Sequence, residues 1–230
     1  YEIPLLSGKD SMYVDGHLEG SFGERVKVSA LETVQFSATS VIDDVTRCVT
    51  MEPKVSGDKV YILGKTANEL GASEYYDLFE KTGLNLPQVD FSGFKILYQT
   101  LQAAIEKEMV ASCRAIARGG IGVHLATMTL AGGLGIEVAL AELPIDTRQG
   151  EVDTAAALFA ESAGRFLVTI APEKTAGFEE LFKDMPVCCI GTITESHDRL
   201  KVEDLSGRPC IDLTVERLHQ AFNRPFGEMI

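Results

Sequence analysis

The sequence predicts an α+β (mixed α/β) fold, in which a mixed sheet is covered by flanking helices. From Val60 onward, short runs of apolar and β-branched residues alternate with segments of helical period, an order typical of this layer architecture. The composition agrees, because 45% of the 230 residues are hydrophobic and 24% are charged, as in ordinary globular proteins. We therefore expect one or two domains with a buried core.

The elements before residue 110 follow from local patterns. Gly-rich residues 16–23 are predicted to be a loop, and the β-branched stretch 25–45 one or two strands. Pro, Ser, Gly and Asp in residues 52–59 predict a domain junction. Next come a strand at 60–64, a helix at 66–73 with Thr66 as N-cap and Glu69 at the capping-box spacing, and a helix at 96–107.

The later elements follow in the same way. Strands are expected at 110–116, 136–140, 165–170 and 187–193, where apolar and β-branched residues cluster. Helices are expected at 119–130, 154–161, 176–183 and 215–222 from apolar periodicity and Ala content. Residues 200–211 predict a hairpin with Ser206 and Gly207 at its tip.

Charge and cysteine content exclude several classes of function. The chain carries 21 Lys and Arg against 34 Asp and Glu, a formal charge of −13, which argues against nucleic-acid binding. No apolar run approaches the roughly 20 residues that span a bilayer, so no membrane partner is expected. Five cysteines, none in a C-x-x-C pair, indicate a reducing compartment, and we expect a cytoplasmic protein.

The first candidate site is the segment Ser7-Gly8-Lys9-Asp10-Ser11. A glycine lets backbone N–H groups approach a phosphate, and a lysine supplies a point charge. The spacing is not that of a Walker A motif. The same five residues are also typical of an ordinary surface turn, which the pattern alone favours.

The second candidate lies where a predicted strand meets a predicted helix, at Arg114, Arg118, Gly119 and Gly120. A helix N-terminus presents free N–H groups and the positive end of the helix dipole, and the two arginines add charge for an anion. In the alternative interpretation the glycines only permit tight packing and the arginines are solvated.

The third candidate is the segment Glu161-Ser162-Ala163-Gly164-Arg165, just before a predicted strand. Glu161 and Arg165 are expected to form an ion pair across this turn or to orient a ligand. The alternative is a helix end capped by Gly164 with a purely structural ion pair.

Taken together, these motifs stand in a specific order. PLLSGKDSM, VIDDVTRCVTMEPK, GDKVYILGKTANELGASEYY, LAGGLGIEVALAELP and LFAESAGRFLVTIAPE follow one another along the chain. This order resembles the C-terminal half of phosphoribosylformylglycinamidine synthase (PurL), of the aminoimidazole ribonucleotide (AIR) synthetase or PurM-like superfamily. The resemblance runs from about Pro4 to about Ile193, with Arg208–Pro225 similar to the extension of longer PurL chains.

The resemblance implies a domain plan and a reaction. Residues 1–50 would end a PurM N-terminal-like domain, 55–196 would be a PurM C-terminal-like (AIR synthase-related) domain, and 197–230 an extension or linker. The family amidates formylglycinamide ribonucleotide (FGAR) in purine biosynthesis, using ATP, Mg²⁺ and ammonia from glutamine. The expected partners are the first PurM-like half of the same chain and a glutaminase domain or subunit, and the piece alone is expected to be inactive.

The resemblance also assigns residues. Gly8 and Lys9 would contact ATP phosphate and Ser11 the substrate, whereas no catalytic residue or metal ligand is assigned in this chain. The sequence departs from the family at the second candidate, where Ala115, Ala117 and Arg118 replace the usual Asp, Ser and Asp. We therefore expect no Mg-nucleotide there, and at most a bare anion beside Arg114 and Arg118.

Two other functions stay open at this stage. A superfamily kinase or phosphotransferase would lack the long C-terminal tail and would keep an acidic residue beside the two glycines. A non-catalytic structural PurM-like module would shape the site of another domain. Apolar residues at Ile3–Leu6 also predict self-association of the piece.

Overall fold

The structure, a computed structural model, describes Pro4, Leu6, Gly8 and residues 15–29, 35–195 and 199–224. The chain divides into two compact units, Tyr1–Val45 and Thr46–Ile230. The split falls before residues 52–59, where the sequence places a domain junction. The assignment of residues 1–50 to a PurM N-terminal-like domain stays a prediction.

The first unit contains a β-hairpin. Strands β1 (Asp15–Glu19) and β2 (Arg25–Ser29) pair antiparallel, and the turn between them is closed by the N–H of Gly20 bonded to the carbonyl of Glu24. The loop predicted at 16–23 is therefore wrong in its first half, because pairing with β2 imposes a strand on Gly-containing sequence. Of the one or two strands predicted for 25–45, the structure shows Arg25–Ser29, residues 30–34 lie outside the described residues, and residues 35–44 contain neither helix nor strand.

Among its described residues, the second unit contains nine strands. In chain order they are β3 (Lys59–Leu63), β4 (Thr66–Ala67), β5 (Val110–Ile116), β6 (Gly135–Ala139), β7 (Ile145–Asp146), β8 (Arg165–Ile170), β9 (Val187–Thr194), β10 (Arg199–Glu203) and β11 (Pro209–Thr214). Seven form one sheet in the order β11–β10–β6–β9–β3–β8–β5, and β4 pairs with β7. The large sheet is mixed, because β10 runs parallel to β6 and the other neighbours are antiparallel.

Helices cover both faces of this sheet. They are α1 (Glu74–Asp77), α2 (Phe91–Glu106), α3 (Gly120–Gly132), α4 (Thr154–Phe159), α5 (Thr175–Leu181) and α6 (Val215–Asn223). Residues of α3, α4 and α6 share one apolar core with the sheet, and residues of α2 and α5 share the other. The predicted mixed sheet with flanking helices is confirmed.

Strand alternation builds these two cores. Val60 and Ile62 of β3 face the core under α3, whereas Tyr61 and Leu63 face the core under α2. Successive strand side chains point to opposite faces, so a central strand that is buried on both faces needs apolar residues at every position. This is why VYIL is a continuous apolar run.

The predicted helix at 66–73 is wrong. Thr66 and Ala67 form β4, and the helix begins only at Glu74, where the Oγ of Ser73 accepts a hydrogen bond from the N–H of Tyr76. Glu69 is buried and accepts from the N–H of Gln88 and from Gln149, instead of closing a capping box. Long-range bonds to these partners outweigh the local capping pattern.

The large sheet continues beyond residue 196, where the sequence ends the domain. Strands β10 and β11 form its edge, with residues 204–208 as the predicted hairpin tip, and α6 places Leu218 in the core beside α3. Residues 199–218 are thus part of the same packed unit, although the sequence suggests an extension or linker.

Three surface features bear on the predicted partners and compartment. None of the helices in the described ranges has the length and apolar character needed to cross a bilayer. All five cysteines are free thiols. Of the apolar residues expected to self-associate, Leu6 is almost fully exposed, and Ile3 and Leu5 lie outside the described residues.

Candidate functional site

The turn between β5 and α3 is built on two glycines in left-handed conformation. Gly119 has φ +87° and Gly120 has φ +66°, values that side chains other than glycine rarely adopt. A Cβ on Gly120 would lie 2.6 Å from the carbonyl oxygen of Leu158 and 2.8 Å from that of Ala160. The glycine pair therefore serves the close packing of α3 against the end of α4, as the packing interpretation requires.

A carboxylate of the same chain occupies the start of α3. The Oε1 atom of Glu161 accepts two hydrogen bonds, from the N–H of Gly119 at 2.8 Å and from the N–H of Glu74, at the start of α1, at 3.0 Å. Backbone N–H groups at a helix start favour negative charge. Glu161 thus supplies the anion that an external ligand would otherwise bring.

The two arginines of this candidate site are engaged differently. Arg118 is largely exposed and forms an ion pair with Glu74. Arg114, on β5, places its Nε atom 3.0 Å from Nδ1 of His124 on α3. Each guanidinium therefore has a partner within the chain, and anion binding at Arg114, Arg118, Gly119 and Gly120 stays a prediction.

His124 also belongs to this site, although only a packing role is predicted for it from its apolar context, and it is buried. The N–H of Ala117 lies 2.8 Å from its Nε2, and Arg114 approaches its Nδ1. A neutral imidazole has one acceptor nitrogen and a protonated one has none. Burial, with the nearby charge of Arg114, lowers the pKa of His124, so the ring is neutral at pH 7.

The residues at this turn do not fit a Mg-nucleotide. Ala115 and Ala117 are exposed methyl groups without ligand atoms, and the Arg118 cation points to Glu74. Hard cations such as Mg²⁺ need oxygen ligands. Among the described residues, no group of three or more His, Cys, Asp or Glu side chains is arranged to hold a metal ion.

Glu161 and Arg165 do not pair with each other, contrary to the sequence expectation. Arg165 is 1% exposed and donates to the carbonyls of Ala160 and Ser162 and to Oγ1 of Thr66, at 2.5, 2.9 and 2.9 Å. The loop 160–164 is therefore wrapped around a buried guanidinium. This arrangement turns Glu161 outward to the starts of α1 and α3.

The predicted ATP-binding segment belongs to the first unit. Gly8 is described and exposed, whereas Lys9 and Ser11 lie outside the described residues. Their roles toward ATP and substrate stay predictions.

The second unit also contains a cavity of about 590 Å³ that the sequence did not indicate. Its walls come from residues 64–69 after β3, residues 88–97 with the first turns of α2, residues 146–149, the loop 162–164 and residues 184–186. Long-range packing brings these five segments together, and only the loop 162–164 belongs to a candidate site that the sequence marks.

Comparison with known proteins identifies the family. The model of the AIR synthase related protein, C-terminal domain, matches residues 55–203. The chain belongs to the AIR synthase-related family.

Curated relatives within the AIR synthase-related family carry a more specific name. The chain is 28% identical over 228 residues to the phosphoribosylformylglycinamidine synthase subunit PurL of Caldanaerobacter subterraneus subsp. tengcongensis, covering 96% of this chain and 28% of that protein. It is 29% identical over 204 residues to the PurL subunit of Alkaliphilus metalliredigens, covering 87% and 25%. This chain therefore spans about a quarter of its curated relatives.

A solved structure shares the fold. The Thermotoga maritima PurL complexed with FGAR superposes with a TM-score of 0.65 at 20% sequence identity, over 76% of this chain and 30% of that chain. At this identity the likeness establishes the fold alone, and it agrees with the mixed sheet and flanking helices of the second unit.

Proposed function

We propose that this chain is the C-terminal part of a PurL-type phosphoribosylformylglycinamidine synthase. In that enzyme ATP would phosphorylate the amide oxygen of FGAR, and ammonia would then displace phosphate to give the amidine. An amide is a poor electrophile, and phosphorylation turns its oxygen into a leaving group. The observation that carries this proposal is the collinear match of 96% of the chain to a PurL subunit.

Within such an enzyme, the two parts of this chain have different tasks. We assign Gly8 and Lys9 to the phosphates of ATP, where the Lys9 ammonium offsets charge on the transferring phosphoryl, and Ser11 to the substrate. The turn at Gly119 and Gly120 has no task toward nucleotide, since Glu161 fills it. Mg²⁺ would be held by residues outside this chain.

A non-catalytic scaffold is the second candidate for the described second unit. One observation favours this role. At the turn between β5 and α3, where a nucleotide would bind, Glu161, Arg118 and His124 form bonds within the chain. A superfamily kinase is less well supported, because Arg118 stands where such enzymes keep an acidic residue. Scaffold and ligase are compatible, since one unit can shape the site that another completes.

Partners and location follow from the same proposal. The first PurM-like half would precede this chain in one polypeptide, and a glutaminase domain or subunit would deliver ammonia. We place the enzyme in the cytoplasm, a reducing compartment, on the support of five free cysteines.

The test uses the full-length protein. ADP release should require FGAR, ATP, Mg²⁺ and either ammonia or glutamine plus glutaminase. Lys9→Ala should raise KM for ATP or lower kcat at least tenfold, while Lys81→Ala, an exposed lysine of the second unit, should match the parent. Absence of FGAR-dependent ADP release rejects the ligase. An unchanged Lys9→Ala enzyme rejects the phosphate role of Lys9 and leaves scaffolding.

A further inference from the structure

The cavity beside β3 has an unusual wall, formed by the loop Ser162-Ala163-Gly164. The carbonyl of Ser162 points at the buried Arg165 guanidinium and accepts a hydrogen bond from Nε of Arg165 at 2.9 Å. In a trans peptide the carbonyl and the following N–H point in opposite directions. The N–H of Ala163 is therefore directed away from Arg165, out of the packed interior.

This wall offers donors without acceptors. Within the described ranges, neither the N–H of Ala163 nor that of Gly164 has a hydrogen-bond acceptor. Gly164 has φ +72°, and successive free N–H groups around a left-handed residue form a concavity that binds anions. Beneath the loop, Arg165 stays protonated at neutral pH, because burial lowers its pKa only to about 10.

A side-chain cation stands in the same cavity. Lys65 lies two residues after the end of β3, lines the cavity and is exposed. Its Nζ forms no ion pair or hydrogen bond with the part of the chain that the structure describes. A lysine ammonium is a compact point charge suited to phosphate and carboxylate. Lys65 thus adds a positive charge beside the free N–H groups of the loop, and the same charge helps to lower the pKa of Asp146 across the cavity.

Most of the acidic residues in the cavity wall are already engaged. Oε1 of Glu69 accepts from Gln88 and Gln149, Asp90 caps α2 through the N–H of Gly93, and Asp146 is held by Arg148. Only Asp184 has no such partner among the described residues. Arg148 neutralises Asp146, whereas Glu69 and Asp90 keep their charge because their donors are neutral N–H groups. An anion in the cavity therefore has to be held by Lys65 and the N–H groups of the loop 162–164.

The rest of the cavity is apolar. Phe94 and Leu97 of α2 form one side, and Met185 and Pro186 another. Gly164 allows the Phe94 ring to lie against the loop, since a Cβ at that position would lie 2.4 Å from the ring. An aromatic ring or apolar body of a ligand could pack here while its charged end reaches the loop.

We propose that this cavity binds a small organic anion, with a phosphate or carboxylate headgroup at Lys65 and the N–H groups of Ala163 and Gly164, and an apolar body against Phe94. The proposed ligand contacts, Lys65, Phe94 and the loop 162–164, do not belong to the glycine turn at Gly119 and Gly120. It does not depend on the ligase reaction, because binding alone is its readout.

The test is a titration of the full 230-residue chain with phenyl phosphate, benzoate, inorganic phosphate and phenol, followed by amide NMR shifts and calorimetry. Phenyl phosphate or benzoate should saturate and shift the amides of Ala163 and Gly164, and the tighter of the two names the headgroup. Inorganic phosphate and phenol, each lacking one half of the ligand, should bind at least tenfold more weakly.

Matched variants decide the assignment. Lys65→Met should weaken the tighter probe at least tenfold, whereas Lys81→Met, with the same charge change outside the cavity, should alter affinity less than twofold. Both variants change an exposed side chain, and their amide spectra will show that they are folded. Equal affinity in Lys65→Met, shifts confined to other amides, or no saturation by either anionic probe would overturn the proposal.

Discussion

The Glu161 carboxylate accepts a hydrogen bond from the backbone N–H of Gly119 at 2.8 Å, and the same oxygen accepts from the N–H of Glu74. One side chain thereby joins the starts of two helices to the loop that surrounds Arg165. At the glycine turn, where the sequence suggested an anion-binding site, the Glu161 carboxylate makes a contact within the fold.

Removing this carboxylate should destabilise the chain. Glu161→Ala leaves two N–H groups without their charged acceptor, and we expect a loss of about 1–3 kcal/mol in the free energy of unfolding. Glu161→Gln keeps an acceptor and should lose less. Urea denaturation measures both. Glu180→Ala, which removes an exposed carboxylate with one weak ion pair to Lys183, should change stability by less than about 0.5 kcal/mol.

Adding a methyl group to Gly120 should be more harmful than adding one to another glycine of positive φ. Gly120 and Gly207 have φ +66° and +74°, but a Cβ on Gly120 would meet the Leu158 carbonyl at 2.6 Å, whereas Gly207 has nothing within 4 Å. Both alanine variants carry the left-handed strain, so their difference isolates the clash. We expect Gly120→Ala to cost about 1–3 kcal/mol more. Equal midpoints of denaturation would contradict the packing role.

The buried imidazole should make stability depend on pH. The pKa of His124 is lowered in the folded state, mainly by burial and then by Arg114, from an ordinary value of 6.5. Below pH 6.5 His124 takes up a proton in the unfolded chain more readily than in the folded chain. The contribution of neutral His124 to the free energy of unfolding is therefore complete above that pH and is lost as the pH falls. Denaturation curves between pH 7.5 and 5 should show this decline. The slope should be reduced in His124→Gln and kept in His219→Gln, whose ring is exposed.

Asp58 provides a change that should stabilise the protein. Its residue is 2% exposed, its carboxylate has no hydrogen-bond partner in the described ranges, and burial together with Glu173 raises its pKa. The charged form is thus disfavoured at pH 7, and its penalty fades as the pH falls through the raised pKa. Asp58→Asn should raise stability at pH 7 by on the order of 1 kcal/mol.

Thermal unfolding at pH 7 and pH 4 checks this prediction, with the gain largest at pH 7. Asp212→Asn is the control, and it should lower stability instead of raising it. Arg199 donates to the Asp212 carboxylate and lowers its pKa, and the variant loses this charged interaction. A destabilised Asp58→Asn at pH 7 would mean that this carboxylate has a favourable partner.

The sequence by itself determined most of the sheet. Strands such as Arg165–Ile170 and Val110–Ile116 lie where clusters of apolar and β-branched residues predict them, because such residues favour strand conformation. Glycine-bounded helix patterns located α3 in the same way. The order of motifs was also enough to indicate the family, since it is a property of the chain and not of its packing.

Tertiary structure alone decided the contacts that give the sites their chemistry. The direction in which the loop turns around the buried Arg165 guanidinium decides whether Glu161 contacts Arg165 or Gly119. Gly119 and Glu161 are 42 positions apart in sequence, so no local pattern predicts their contact. The false helix at 66–73 has the same origin, because bonds from Gln88 and Gln149 to Glu69 replace its local cap. The cavity beside Lys65 is lined by five segments that are distant in sequence. Local patterns fix what a segment prefers to be, whereas long-range hydrogen bonds and packing fix which groups remain free to bind.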